Sequence, residues 1–216
     1  MYTYKLTLLS PLFYRSRQDS GAGGATVTDT WIGDLAICFA INKALGITHI
    51  PFKYTSNKPE YEDILDIPLI TSIAVPNEEP KRTRLYDMAT NFMSEGYPNM
   101  AAIENSARTS MKNWLKRQGI EPGTEYTFVM AVRDNYVPPE KFTIRLGNMQ
   151  ETLALCEKQP GNLKSLTVNL FTLKHVFGHQ SVKGLDYEML ERPAQQYVLA
   201  HGVDATKWLS LVTPYM

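Results

Sequence analysis

The sequence predicts an α+β fold, a ferredoxin-like antiparallel sheet with an inserted thumb. Three observations predict it: an alternating strand opens the chain, an apolar helix follows, and several strand-like segments come after residue 120. In the strand, Tyr2, Tyr4, Leu6 and Leu8 share one face, the period of two that marks a half-buried strand. From Trp31 to Leu45 the residues are almost all apolar, and a helix apolar all round is buried on more than one side. Thr28, Asp29 and Thr30 offer N-caps and Gly46 suits the C′ position, where a left-handed residue ends a helix. Strand, helix, strand, an irregular stretch, helix and then more strands fit a sheet with helices on one face. A βαββαβ core elaborated by insertions has that order.

The remaining elements follow from the same periods. Residues 51–68 hold Pro51, Pro59 and Pro68 with Glu60, Glu62, Asp63 and Asp66, which reads as a solvated loop. Leu69–Val75 is a strand, and 76–80 a turn. Over 85–93 both periods fit: Leu85, Met88, Ala89 and Phe92 a helix, Tyr86, Met88, Thr90 and Phe92 a strand. Ala107, Met111, Trp114 and Leu115 predict a helix from Ile103 to Gln118, ended by Gly119 and Pro122. That helix would carry Arg108, Lys112 and Lys116 as a basic stripe. Tyr126, Phe128, Met130 and Val132 alternate as a strand. Phe142, Ile144 and Leu146 form a short one that stops at Gly147, and Leu166, Val168 and Leu170 mark another. Two short apolar segments, near Tyr197–Ala200 and Trp208–Val212, close the chain. The whole reads as a single domain over 1–216, with a thumb-like insertion at about 77–120.

Composition excludes several classes. Lys+Arg and Asp+Glu are 22 each, so the chain lacks the basic excess of a free-standing nucleic-acid binder. A subunit that shares its nucleic acid with neighbours remains compatible. Cys38 and Cys156 have no CxxC partner, so no zinc or redox motif is expected, and Cys38 reads as a small core residue. No apolar run reaches membrane-spanning length, and the expected location is the cytoplasm, without membrane contact. Phosphate-binding, dinucleotide and nucleophile-elbow motifs are missing, as is the RNP1 pattern. No cofactor or metal is expected, and His175 and His179 lack an HExxH context. The Gly21–Gly24 run reads as a flexible loop.

Two groups of residues have the chemistry of an RNA contact. Phe13, Tyr14, Arg15 and Arg17 follow the first strand; unstacked bases stack on aromatics, and Arg pairs bidentately with phosphate. Taken alone, this stretch reads as a core aromatic with solvated arginines. Lys81, Arg82 and Arg84, with Arg108 and Lys112, would line a groove that tracks a nucleic-acid backbone. Pairing with Glu78, Glu79 and Glu104 is the plainer reading of the same charges.

Tyr4-Lys5-Leu6-Thr7-Leu8 followed by Phe13-Tyr14-Arg15-Ser16-Arg17, then Trp31–Ala40 leading to Ala44-Leu45-Gly46, resembles the start of a CRISPR-associated family. Phe142-Thr143-Ile144-Arg145-Leu146-Gly147-Asn148 is similar to that family's strand-ending element. The family is the Cas-five-type RAMP subunit of type I surveillance (Cascade) complexes, in its type I-D form, called Csc-one. The resemblance implies a ferredoxin-like RNA-binding core with a protruding thumb. It implies a non-catalytic subunit that holds the 5′ handle of the guide RNA and caps a filament of backbone subunits. It further implies docking of the large subunit that helps find target DNA in antiviral defence. Arg15, Arg17 and Arg145 match handle-contacting positions; Lys81, Arg82 and Arg84 fall in the thumb. Relatives have a glycine-rich loop late in the chain; here Lys174-His175-Val176-Phe177-Gly178-His179 is sparse in glycine, and Lys174 and His175 stand for its RNA contacts. Two alternatives stay open: a metal-independent repeat-RNA endoribonuclease, using one of His49, His175, His179 or His201 as acid or base, and an interaction module unrelated to CRISPR.

Overall fold

The computed structural model describes residues 1–14, 25–50, 61–90, 113–133, 136–147, 151–178, 188–194 and 197–215. In chain order the first strands are β1 (Tyr2–Leu8), β2 (Ala25–Val27), β3 (Leu69–Thr71), β4 (Val75–Pro76), β5 (Tyr86–Thr90) and β6 (Asn113–Gln118). They are followed by β7 (Glu125–Val132), β8 (Lys141–Leu146), β9 (Thr152–Gln159), β10 (Ser165–Asn169), β11 (Glu188–Ala194) and β12 (Tyr197–Asp204). The helices are α1 (Asp34–Leu45) and α2 (Ala205–Val212).

The main sheet has the order β3-β7-β1-β9-β8, with β4 also on β7, and every pair in it is antiparallel. Its core face is set by the alternation in β1. Tyr4 lies opposite Phe128, Leu6 opposite Tyr126 and Cys156, and Leu8 opposite Ala154. All of these are buried, in one cluster with Leu35, Cys38 and Ile41 of α1. Cys38 is a core residue as expected: its Sγ accepts the Thr71 N–H at 3.3 Å. Burial pushes its thiol up to about 12.

The α+β class and the antiparallel sheet agree with the sequence. In chain order α1 lies between β1 and β3, and the order β3-β7-β1-β9 is the one in which the four strands of a βαββαβ unit lie side by side. The difference lies where that motif has its second helix: between β7 and β9 the chain forms the strand β8, paired with the outer side of β9. Periodicity tells which face of a strand is buried, but not which strand it will pair with.

Three element boundaries also differ. The helix starts at Asp34, with Gly33 as N-cap in extended geometry and no side-chain cap. Ile32 stays out of the helix because it exchanges backbone hydrogen bonds with Ala74 at 3.0 and 2.9 Å. Gly46 is left-handed as expected, at φ 59. The Leu69–Val75 strand breaks after Thr71, where Ser72 uses its N–H and its hydroxyl to bond the backbone of Val129. The predicted helix over 103–118 is a strand over Asn113–Gln118, and residues 101–112 lie outside the described residues. An adjacent apolar pair such as Trp114-Leu115 satisfies either period; pairing with β5 decided it. Lys116 therefore lies on a strand and not on the expected helix.

Within the expected thumb, β5 and β6 pair antiparallel, and β2 adds to β6 in parallel. This second sheet is separate from the main one. A third sheet, β10-β12-β11, leads into α2, where Asp204 accepts the Lys207 N–H at 2.9 Å as N-cap.

Candidate nucleic-acid interface

The segment after β1 is fastened where the first two sheets meet. Leu12 and Ile120 exchange backbone hydrogen bonds at 3.0 Å. The Thr28 hydroxyl donates to Leu12 O and accepts the Tyr14 N–H, both at 3.3 Å. The guanidinium of Arg82 donates to Thr28 O. The Thr83 hydroxyl accepts the Gly119 N–H at 3.0 Å. Gly119 itself has no room for a side chain: a Cβ there would lie 2.6 Å from Leu12 O and 2.8 Å from the Phe13 ring.

This bolting sets Phe13 edge-on to Tyr86, with centroids 5.7 Å apart and planes at 84°. The exposed Arg84 stands over the Tyr86 ring at 5.1 Å. Arg84 and Tyr86 are two apart on an extended segment, which puts both on one side of the chain. A guanidinium over an aromatic face is a planar, cationic platform. Such a platform accepts an unstacked base on its outer surface or a phosphate at its edge.

The other predicted contacts separate. Tyr14 is half-buried; its hydroxyl lies 3.2 Å from that of Tyr197, and its ring meets Trp31 at 6.3 Å. Burial pushes both phenols well above the usual tyrosine range, and the pair fastens the segment after β1 to β12. Arg82 turns inward to Thr28 and pins the junction. Lys81 is exposed, in a cleft it shares with Glu78, Glu79, Glu121 and Glu125, surroundings that repel phosphate. Arg145 is exposed on β8 and lines a different cleft, with Tyr14, Phe39 and Lys43. Lys174 and His175 are exposed on a short π-helical turn, Thr172–Val176, with the His175 ring 4.7 Å from that of Phe171. Arg15, Arg17, Arg108 and Lys112 lie outside the described residues, as do His179 and Gly21–Gly24. Of the described groove residues, Arg84 projects outward against an aromatic and the others do not. Tyr86 was missed by the sequence reading. Its signal was the two-residue spacing from Arg84, which becomes meaningful only once residues 86–90 are known to be a strand.

The family model for the type I-D CRISPR-associated protein Cas5/Csc1 matches residues 1–202. The chain belongs to the Cas5/Csc1 family. Membership makes it a subunit of a CRISPR effector complex. No curated protein sequence matches it. Among solved structures it is similar to a chain in the cryo-EM structure of the type III-B Cmr-beta bound to cognate target RNA and AMPPnP. That chain is 8% identical, with 99% of this chain and 89% of that one covered and a TM-score of 0.42, too distant a likeness to bear on function.

Two further features of this Cas5/Csc1 chain bear on its chemistry. Among the described residues no three His, Cys, Asp or Glu side chains gather as a metal site, and no helix is long and apolar enough to cross a membrane. At the start of α1, the buried Asp34 accepts Asn169 Nδ2–H at 3.1 Å and the Thr172 hydroxyl at 2.6 Å. Asn169 in turn accepts the N–H groups of Phe171 and Val198, both at 3.1 Å, tying α1 to the third sheet. Desolvation outweighs these bonds and pushes the Asp34 carboxyl up to about 6 from 3.8.

A carboxyl with a raised pKa binds its proton more tightly in the folded state. Stability is therefore favoured below the unfolded pKa and declines as pH rises from about 4 to about 6. The contribution is about 3 kcal/mol at most. Asp34→Asn is expected to remove this component. Urea unfolding of both proteins at pH 4 and pH 7 measures it; the same pH dependence in both would refute the assignment.

Proposed function

We propose that this chain is a non-catalytic subunit of a type I-D RNA-guided surveillance complex that binds the 5′ handle of the guide RNA. It caps one end of the backbone filament, beside the large subunit that engages target DNA in antiviral defence. The observation that carries the RNA reading is the Arg84–Tyr86–Phe13 ladder, held at the junction of two sheets. A handle is single-stranded, and single strands are recognised by stacking and by phosphate contact. The neutral charge of the chain supports a shared site, because phosphate contacts then add across subunits.

The described histidines lie on three separate elements: His49 follows α1, the His175 ring is 4.7 Å from that of Phe171, and His201 shares a 2.8 Å hydrogen bond with Thr167. The rival reading gives one of these, or His179, the role of acid or base. Repeat RNA incubated with the chain in EDTA is expected to stay intact, and cleavage would overturn this part of the reading.

Arg84→Ala with Tyr86→Ala tests the site. Loss of one stacked base costs about 1–3 kcal/mol, so handle RNA should bind the reconstituted complex roughly 5- to 150-fold more weakly. Arg84 is exposed, so Arg84→Ala alone should leave the unfolding midpoint nearly unchanged. Wild-type handle affinity in the double variant would remove these residues from the interface.

A further inference from the structure

The open edge of β8 has the features of a site for an added strand. β8 is the last strand of the main sheet. The Lys158 N–H donates to Glu140 O at 2.8 Å, so the facing pairs Phe142/Cys156, Ile144/Ala154 and Leu146/Thr152 are the hydrogen-bonded ones. Alternate residues of an antiparallel strand turn their N–H and C=O the other way. Thr143 and Arg145 thus aim theirs at the open edge, and among the described residues nothing bonds them there.

Edge strands are normally blunted by bulges, proline, cover or charged side chains, and β8 carries two charges, Lys141 and Arg145. β8 keeps an unbroken register against β9 and contains no proline. Beside its edge lies a cleft of about 610 Å³, whose far wall is α1. Ala36, Ala40 and Ala44 recur every four residues along that wall, with Phe39 between them. The cleft follows β8 from Thr143 to Gly147, about 17 Å of extended chain. That is room for one short strand.

We infer that this edge receives an extended, acidic segment of a neighbouring protein subunit, added to β8 as a further strand. Charge selects the occupant. Arg145 lines the cleft, and among the described residues no carboxylate does. The nearby Lys141 is already paired with Glu157 at 2.8 Å. A second copy of this chain would set β8 against β8, placing cations opposite cations, which destabilises a pair of strands. A partner strand with Asp or Glu facing Arg145 and an apolar residue facing Phe39 meets both walls. Main-chain hydrogen bonds then supply affinity, and the side-chain contacts supply specificity. The inference rests on membership of a multisubunit complex and not on the RNA reading.

Residue-resolved amide exchange tests it. In the purified complex the Thr143 and Arg145 amides should exchange at least about tenfold more slowly than in the isolated chain. Those of Phe142, Ile144 and Leu146 should be protected in both. Thr143→Pro removes an outward N–H and leaves the β8–β9 ladder intact. It should fold alone yet enter the complex at least about tenfold less efficiently, whereas Thr143→Ala should assemble normally. Four results would overturn the inference: equal exchange of the two amides in both states, normal assembly of Thr143→Pro, protection that ribonuclease digestion removes, or a dimer of the isolated chain that already protects Thr143. Loss of handle binding in the Arg84/Tyr86 double variant leaves edge protection unchanged, so the two readings fail separately.

Discussion

Tyr4→Ala is expected to destabilise the fold by about 3–5 kcal/mol, the cost of emptying a fully buried aromatic site. Tyr4 is 0% exposed. Its ring stacks on Phe128 at 5.7 Å and meets Phe142 edge-on at 5.5 Å. It therefore joins β1 to strands on both sides, and no neighbour on a three-strand platform can collapse into the space. Its hydroxyl donates to Pro139 O at 2.7 Å. Tyr4→Phe keeps the ring and leaves that carbonyl unpaired, at a cost of about 1 kcal/mol. Denaturant unfolding of the two variants separates packing from hydrogen bonding. Equal losses in both would mean that the hydroxyl, and not the ring, holds β1 in place.

Gly147→Ala is expected to cost about 2–4 kcal/mol and to weaken RNA binding without touching RNA. Gly147 ends β8 at φ 78, a left-handed conformation that costs an L-residue about 1–2 kcal/mol. A Cβ there would lie 2.8 Å from Phe13 O and 3.2 Å from Thr152 Oγ1. The carbonyl is backbone and cannot rotate away. The Thr152 hydroxyl is committed to Pro11 O at 2.9 Å. Relief must come from the Pro11–Phe13 segment, which moves Phe13 from its edge contact with Tyr86. Thermal unfolding and handle affinity should fall together. A midpoint within about 1 °C of wild type would show that the segment yields at no cost.

Much of the fold was legible along the chain. β1 and β8 declare themselves because each has one face in the core and one more exposed, and alternation is the direct image of that burial. β7 was legible from Tyr126, Phe128, Met130 and Val132, although Val129 and Ala131 on its other face are buried as well. Gly46 and Gly147 declare themselves because left-handed backbone excludes other residues. The start of α1 was not legible: Thr28, Asp29 and Thr30 look like N-caps, but Thr28 is used by Leu12 and Tyr14. The strand at Asn113–Gln118 was not legible because its hydrogen bonds come from β2 and β5, remote in sequence.

The candidate site divides along the same line. Phe13 and Arg84 were marked by residue type. Tyr86 was hidden by the ambiguous period over 85–93, and Arg82 and Tyr14 looked exposed but are drawn inward.

By itself the sequence determined the composition class, the first strand, the buried helix, the glycines that end α1 and β8, and the resemblance to the Cas5/Csc1 family that the family model bears out. Those properties depend on residue type and on spacing within one segment. Tertiary structure alone decided the placing of β8 outside β9 and the turning inward of Tyr14 and Arg82. It also decided the meeting of Arg84, Tyr86 and Phe13, and the open edge at Thr143 and Arg145. Each of these depends on which distant segment supplies the other half of a hydrogen bond or a packing contact, and local periodicity holds no record of that choice.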